Sequence, residues 1–194
     1  MTNNINISTR TAATAALAAG VAICVFGILS ISDSQSAENT TVGIEHVILG
    51  GLTLTLVLLI PVVLHLGRLA GKPRAAAVTV TGQVLLASLT VISNVRGEDP
   101  AFFDAVAAPS NLLILGGLIA LAVGLRRRGV LSRSLAIGLP LSWILTLAMG
   151  ATFSPIAGAY WLAIGWMLRN GELPQGIRYP VVTPSMEVMR RNAS

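Results

Sequence analysis

Six apolar runs, at 11–32, 44–66, 75–95, 105–125, 134–150 and 152–168, carry no charged side chain in their interiors. A helix that crosses the hydrocarbon core of a bilayer needs roughly 17–25 such residues. Within lipid every backbone N–H and C=O must be satisfied inside the element, which leaves helices or closed barrels. A barrel strand alternates apolar and polar residues, and these runs are continuous. The chain therefore reads as all-α: a polytopic membrane protein, one bundle of six transmembrane helices over 11–168. Charged residues make up 11% of the chain, against about a quarter in a soluble domain.

The runs at 134–150 and 152–168 need a break between them, because a single helix over both would be roughly 52 Å long. "GATFSP" (150–155) supplies one, since Pro155 disfavours helical geometry at Ser154. Two short spans joined by a tight turn are expected, with a re-entrant hairpin as the alternative. The first run is longer than the usual 7–15-residue core of a signal peptide. It reads as a retained helix, although "SQSA" (34–37) resembles a cleavage site. Residues 1–10 precede the bundle, and the tail at 169–194 is basic, proline-bearing and without apolar periodicity. Asn39-Thr40-Thr41 is a glycosylation sequon, meaningful only in a eukaryotic secretory pathway.

The charges sort by side. Arg10 precedes the first span, and Arg68, Lys72 and Arg74 follow the second. Arg126, Arg127, Arg128 and Arg133 lie between the fourth and fifth, and Arg169, Arg178, Arg190 and Arg191 follow the sixth. Of the basic residues Arg96 alone falls on the other side, together with Asp33, Glu38, Glu45, Glu98, Asp99 and Asp104. Basic loops stay in the cytoplasm, so both termini are expected there, in a multi-pass protein of the plasma membrane. The run "LRRRGVLSR" is then a topology anchor against anionic headgroups. Nucleic acid is not an expected partner, because no soluble domain presents the patch and no aromatic residues interleave it.

The third span is the most polar. Thr79, Gln83, Thr90 and Asn94 fall within roughly a 60° stripe, with Ala76 and Ala87 on the same side. Such a face either lines a solute path, with Gln83 near its middle, or hydrogen-bonds neighbouring helices across small-residue faces. The acidic rim offers Glu45, His46, Arg96, Asp99 and Asp104, a set that could hold a cation or act on a lipid or quinone. It lacks metal-ligand spacing, so ordinary solvated loop residues are the competing reading. No metal or other cofactor is expected. His46 and His65 are roughly 28 Å apart on one helix and cannot share a haem iron.

Nucleophile elbow, P-loop, HExxH and CxxC signatures are all missing. No ionisable residue lies inside a span, which counts against proton coupling. Cys24, the one cysteine, reads as a small packing residue. Pro61 and Pro140 are expected to kink their helices, Trp166 to anchor at the interface, and Trp143 and Trp161 to pack between the last two spans. "ILGGL" recurs at 48–52 and 114–118, each time ahead of a basic loop and another span. That repetition raises the expectation of duplicated hairpins.

The stretch from "FFDAVAAPSNLLILGGL" (102–118) through "AGAYWLAIGWML" (157–168) resembles small Ala/Gly-rich multi-helix membrane proteins of actinobacteria. That resemblance implies a bacterial inner membrane and transfers no site residue. Three functions are expected to compete. The first is a non-enzymatic module associating with itself, with lipid or with a membrane-protein partner. The second is a small transporter or channel along the third span, and the third is a membrane enzyme at the acidic rim.

Overall fold

The computed structural model describes residues 8–32, 43–148 and 150–173. These residues form six helices and no strand. They are α1 (Thr9–Ser32), α2 (Ile44–Ala70), α3 (Pro73–Arg96), α4 (Phe103–Arg127), α5 (Arg133–Ala148) and α6 (Gly150–Asn170). The first four are long and apolar enough to cross a membrane. At 16 residues α5 is shorter, about 24 Å against a hydrocarbon core of roughly 30 Å. The helical break sits between Ala148 and Gly150, so Pro155 lies inside α6 rather than ahead of it. As the sixth residue of α6, Pro155 lies just past the four N–H groups that a helix start leaves free, so it costs one helical hydrogen bond that the packing of α6 on α1 must offset. The proposed cleavage site, the sequon, Arg178, Arg190, Arg191 and the tail beyond 173 lie outside the described residues.

Each helix packs on its neighbours in sequence, and α6 returns to pack on α1, which closes a ring. The α1–α6 seam is the most extensive, and α2 also touches α4 across the ring. Neighbours run antiparallel. Phe26 of α1 meets Gly51 of α2, Ala76 of α3 meets Gly67 of α2, and Tyr160 of α6 packs on Gly138 of α5. The Tyr160 hydroxyl donates to the Leu135 carbonyl at 2.9 Å. Arg10, Arg68, Lys72, Arg74, Arg126, Arg127, Arg128, Arg133 and Arg169 consequently gather at one end of the bundle, and Arg96 lies at the other.

The exterior is coated with apolar side chains such as Val25, Leu54, Val57, Leu112 and Ile119. Trp166 is also exposed, whereas Trp143 and Trp161 are buried. Leu56, Val62, Leu66, Ile114, Leu121, Leu139 and Ile164 fill the interior.

The three helices that end on the basic side stop in the same way. Lys72 donates to Gly67 O at 2.9 Å, Val130 to Leu125 O at 2.9 Å and Glu172 to Met167 O at 3.0 Å. In each case the chain turns through a left-handed glycine: Gly71, Gly129 or Gly171. Only glycine enters that region without a steric penalty, and the reversal satisfies carbonyls left open by the helix end. Because α6 shares it, this turn is a general cap rather than a mark of hairpin duplication. The two Gly pairs also sit at different depths, Gly51 being the eighth residue of α2 and Gly117 the fifteenth of α4. The two hairpins are not copies in register.

Candidate functional sites

The stripe on α3 was the strongest sequence candidate, and α3 sits in the notch between α2 and α4. Thr79, Gln83 and Thr90 are each at most 2% exposed. The stripe divides between two neighbours. Towards α2, the Thr90 and Thr53 hydroxyls are 2.8 Å apart, and Asn94 Oδ1 is 2.7 Å from His46 Nδ1. Towards α4, Thr79 packs against Gly117. Its hydroxyl donates back to Ala75 O at 3.0 Å.

Thr53 and Thr90 also lie within donating distance of Leu49 O and Ala87 O. Each hydroxyl has one proton, so one of them must share it or leave its own helix to bridge the other. An acceptor at Asn94 requires His46 Nδ1 to carry its hydrogen. Gln83 differs from the rest: its Oε1 is buried with no hydrogen-bond partner among the described residues. Ser93 Oγ, Asn111 Oδ1 and Trp143 Nε1 share that condition.

The acidic rim does not assemble into a centre. Glu45 and His46 open α2, and His46 is bonded to Asn94. Arg96 pairs with Glu98 at 3.5 Å, both side chains more than half exposed, and an ion pair so solvated contributes little. Asp99 and Asp104 are exposed and stand in the α3–α4 connection and the first turn of α4. Among the described residues no three His, Cys, Asp or Glu side chains group closely enough to hold a metal ion.

At the basic end Arg128 has a specific structural partner. Arg128 Nη1 donates to Leu69 O at 3.3 Å, across the end of α2. Its guanidinium rests over Gly71, where a side chain would collide with it. A cation at a helix C-terminus is favourably placed for the helix dipole.

Sequence reasoning overlooked two features. The first is the α1–α6 seam, where Gly20 and Gly27 face α6 and Gly158 and Gly165 face α1. A Cβ on Gly20 would lie 2.8 Å from Gly158 O, and one on Gly158 would lie 2.7 Å from Gly20 O. Cys24 packs in this seam against Gly158. The seven-residue spacing of the glycines in both helices was the available signal. The second is a cleft of about 180 Å³ between α1, α2, α5 and α6, at the end opposite the basic loops. No periodicity in any one helix marks it, since its residues come from four.

No protein-family model matches the chain, and no curated protein or solved structure is similar to it.

Proposed function

We propose that this chain is a non-enzymatic membrane module that acts by associating with lipid, with another membrane protein or with a second copy of itself. In this reading six helices span a bacterial cytoplasmic membrane, with the arginine-rich end and both termini on the cytoplasmic side. The observation that favours association over transport is the fate of the α3 stripe. Thr90 and Asn94 are bonded to α2 and Thr79 is packed on α4, so three of the four polar groups serve helix–helix contact. Hydrogen bonds of that kind are the usual role of Ser, Thr and Asn between apolar helices.

The test is extraction in native lipid patches followed by mass spectrometry of everything that co-purifies. A lipid, a protein partner or a second copy in fixed stoichiometry is expected. Purified protein that converts a lipid, or that moves a solute across vesicle membranes, overturns the reading. A cysteine replacing Ala148, in a Cys24→Ala background, tests the span count. Labelling by an impermeant reagent from outside intact cells is expected if α5 and α6 both cross. Labelling from the cytoplasmic face alone makes them a re-entrant hairpin.

One observation favours a small transporter or channel instead, namely the amide oxygen of Gln83 in the middle of α3, which is buried and has no hydrogen-bond partner among the described residues. The double substitution Gln83→Leu and Asn94→Leu separates the two. Loss of a transport phenotype with the fold retained supports a path along α3, whereas a change in stability alone supports packing.

A further inference from the structure

The glycine contacts of the α1–α6 seam run out towards the basic end. The last of them is at Gly165, where a Cβ would lie 2.9 Å from Leu17 N. One turn further on, the two helices border a hollow of about 530 Å³, within the range of roughly 300–1,000 Å³ usual for a ligand site. Ala13 and Leu168 line it and are both buried, which gives it an apolar base. Arg10 lines it from α1 and Arg169 from α6.

The charge around this hollow is of one sign. Neither guanidinium is paired with a carboxylate among the described residues. The one described carboxylate at this end belongs to Glu172, which accepts from Asn170 Nδ2 at 3.3 Å and does not line the hollow. The last carbonyls of α6 are taken up by its own terminal turn, Leu168 O by the Gly171 N–H and Met167 O by the Glu172 N–H. Two unpaired cations bordering one space attract an anion, and a guanidinium grips a phosphate through two parallel N–H···O bonds.

Depth selects the kind of phosphate. Trp166 is 58% exposed and stands three residues before Arg169 on α6. Exposed tryptophan marks the headgroup level of a membrane, so Arg169 lies where lipid phosphates do. Basic pockets between helices at the cytoplasmic face are a recurrent form of anionic-lipid site.

We propose that the hollow between the start of α1 and the end of α6 holds the phosphate of an anionic phospholipid, between the Arg10 and Arg169 guanidiniums. A choline lipid is a poorer fit, because its ammonium group would meet two cations. The proposal deepens the reading of an associating module and rests on it, naming the class of lipid that the module holds.

The test uses the full chain in mild detergent, titrated with phosphatidylglycerol or phosphatidylcholine and read by native mass spectrometry. One retained phosphatidylglycerol per chain is expected, and no retained phosphatidylcholine. Arg10→Gln combined with Arg169→Gln is expected to lower retention about tenfold or more, since charge-assisted hydrogen bonds are lost. Arg126→Gln combined with Arg127→Gln removes the same charge from the same end, at residues that do not line the hollow. That pair is expected to change retention less than about twofold, as exposed charges at a distance are screened. Thr14 lines the hollow and is exposed, so substitution there is expected to leave the unfolding midpoint unchanged. Thr14→Glu sets a carboxylate in the hollow and is expected to abolish retention, while Thr14→Gln, of nearly equal size, keeps it.

Equal losses in the two arginine pairs would assign the attraction to the general field of the basic end and overturn the proposal. Phosphatidylcholine held as well as phosphatidylglycerol overturns it too. Glycerol 3-phosphate, added as a competitor, tells the source of the phosphate: displacement at concentrations near the lipid's own overturns the lipid assignment, and failure to displace supports it. The two readings fail separately. A phosphatidylglycerol recovered chemically altered keeps the site and removes the non-enzymatic role. A stoichiometric protein partner with no retained phosphatidylglycerol keeps the role and removes the site.

Discussion

The α1–α6 seam and the notch that holds α3 solve the same problem with different chemistry. At α1–α6 the two backbones touch through Gly20 and Gly158, and no side chain separates them. Around α3 the contact with α2 is bridged by side chains, Thr53–Thr90 and His46–Asn94, while on α4 Thr79 is seated on Gly117 and the backbones also come close at Gly82, where a Cβ would lie 2.6 Å from Ser110 O. Between apolar helices in lipid there is no hydrophobic gain from association, so close packing and hydrogen bonding must supply it. The first seam depends on the absence of atoms, as the α3–α4 contact does at Gly82 and Gly117, whereas the α2–α3 contact adds a few polar atoms that must be correctly paired. They should respond differently to substitution.

The largest effect is expected at the glycine seam. Gly158→Leu places a side chain against Gly20 O, a backbone atom that cannot rotate away, and against Cys24 Sγ. Overpacking of this kind is expected to cost about 3 kcal/mol or more, read as a fall in unfolding midpoint in detergent or nanodiscs. Gly116→Leu is the matched control, because nothing lies within 4 Å of a Cβ there. It should leave stability unchanged or raise it by about 0.5–1 kcal/mol through helix propensity. Equal losses in the two variants would mean that the α1–α6 backbone contact is not what holds the bundle closed.

Next in size, and opposite in sign, is Gln83→Leu. The buried Oε1 has no partner among the described residues, and removing an unsatisfied buried group is worth about 1–3 kcal/mol. A stabilised protein is expected. A destabilised one would show that the amide has a partner, such as a bound water or a solute on a path. Thr90→Val tests the paired part of the same stripe. It removes the bridge to Thr53 with little change of shape and should lose about 0.6–1.7 kcal/mol, the range found for such bonds in membrane proteins. Gain at Gln83 with loss at Thr90 would separate two residues that a helical wheel places side by side.

That separation also marks what could be read from the chain by itself. Uncharged runs long enough to cross a bilayer are a property of composition along one helix, and the first four appear as α1 to α4. The stripe was visible for the same reason, since 100° per residue puts Thr79, Gln83, Thr90 and Asn94 on one face. What that face meets was not visible, because it depends on α3 lying between α2 and α4. The break falls between Ala148 and Gly150, a few residues ahead of where Pro155 alone would put it, because a proline lowers helix preference locally without fixing which residue ends the helix. The α1–α6 seam pairs residues some 140 positions apart in sequence, and only the matching seven-residue glycine spacing hinted at it. The cleft between α1, α2, α5 and α6 draws on four helices, so no single segment carries its signature.

The smallest predicted effects compare two arginines at opposite ends of the bundle. Arg128 caps α2 through Leu69 O at 3.3 Å, and Arg128→Ala should lose about 0.3–1 kcal/mol, the usual worth of a cation at a helix C-terminus. Arg96 meets Glu98 at 3.5 Å with both side chains more than half exposed. Arg96→Ala should change stability by less than about 0.5 kcal/mol, since exposed pairs commonly contribute almost nothing. The difference is a matter of partner: Arg128 satisfies a backbone carbonyl left open by a helix end, while Glu98 is equally well served by water. High salt sharpens the contrast. Screening should erase what little Arg96 contributes, whereas the hydrogen bond from Arg128 to Leu69 O should survive at least in part. If salt and Arg128→Ala acted as one, the basic end would be stabilised by its general field, and the capping of α2 would carry no separate weight.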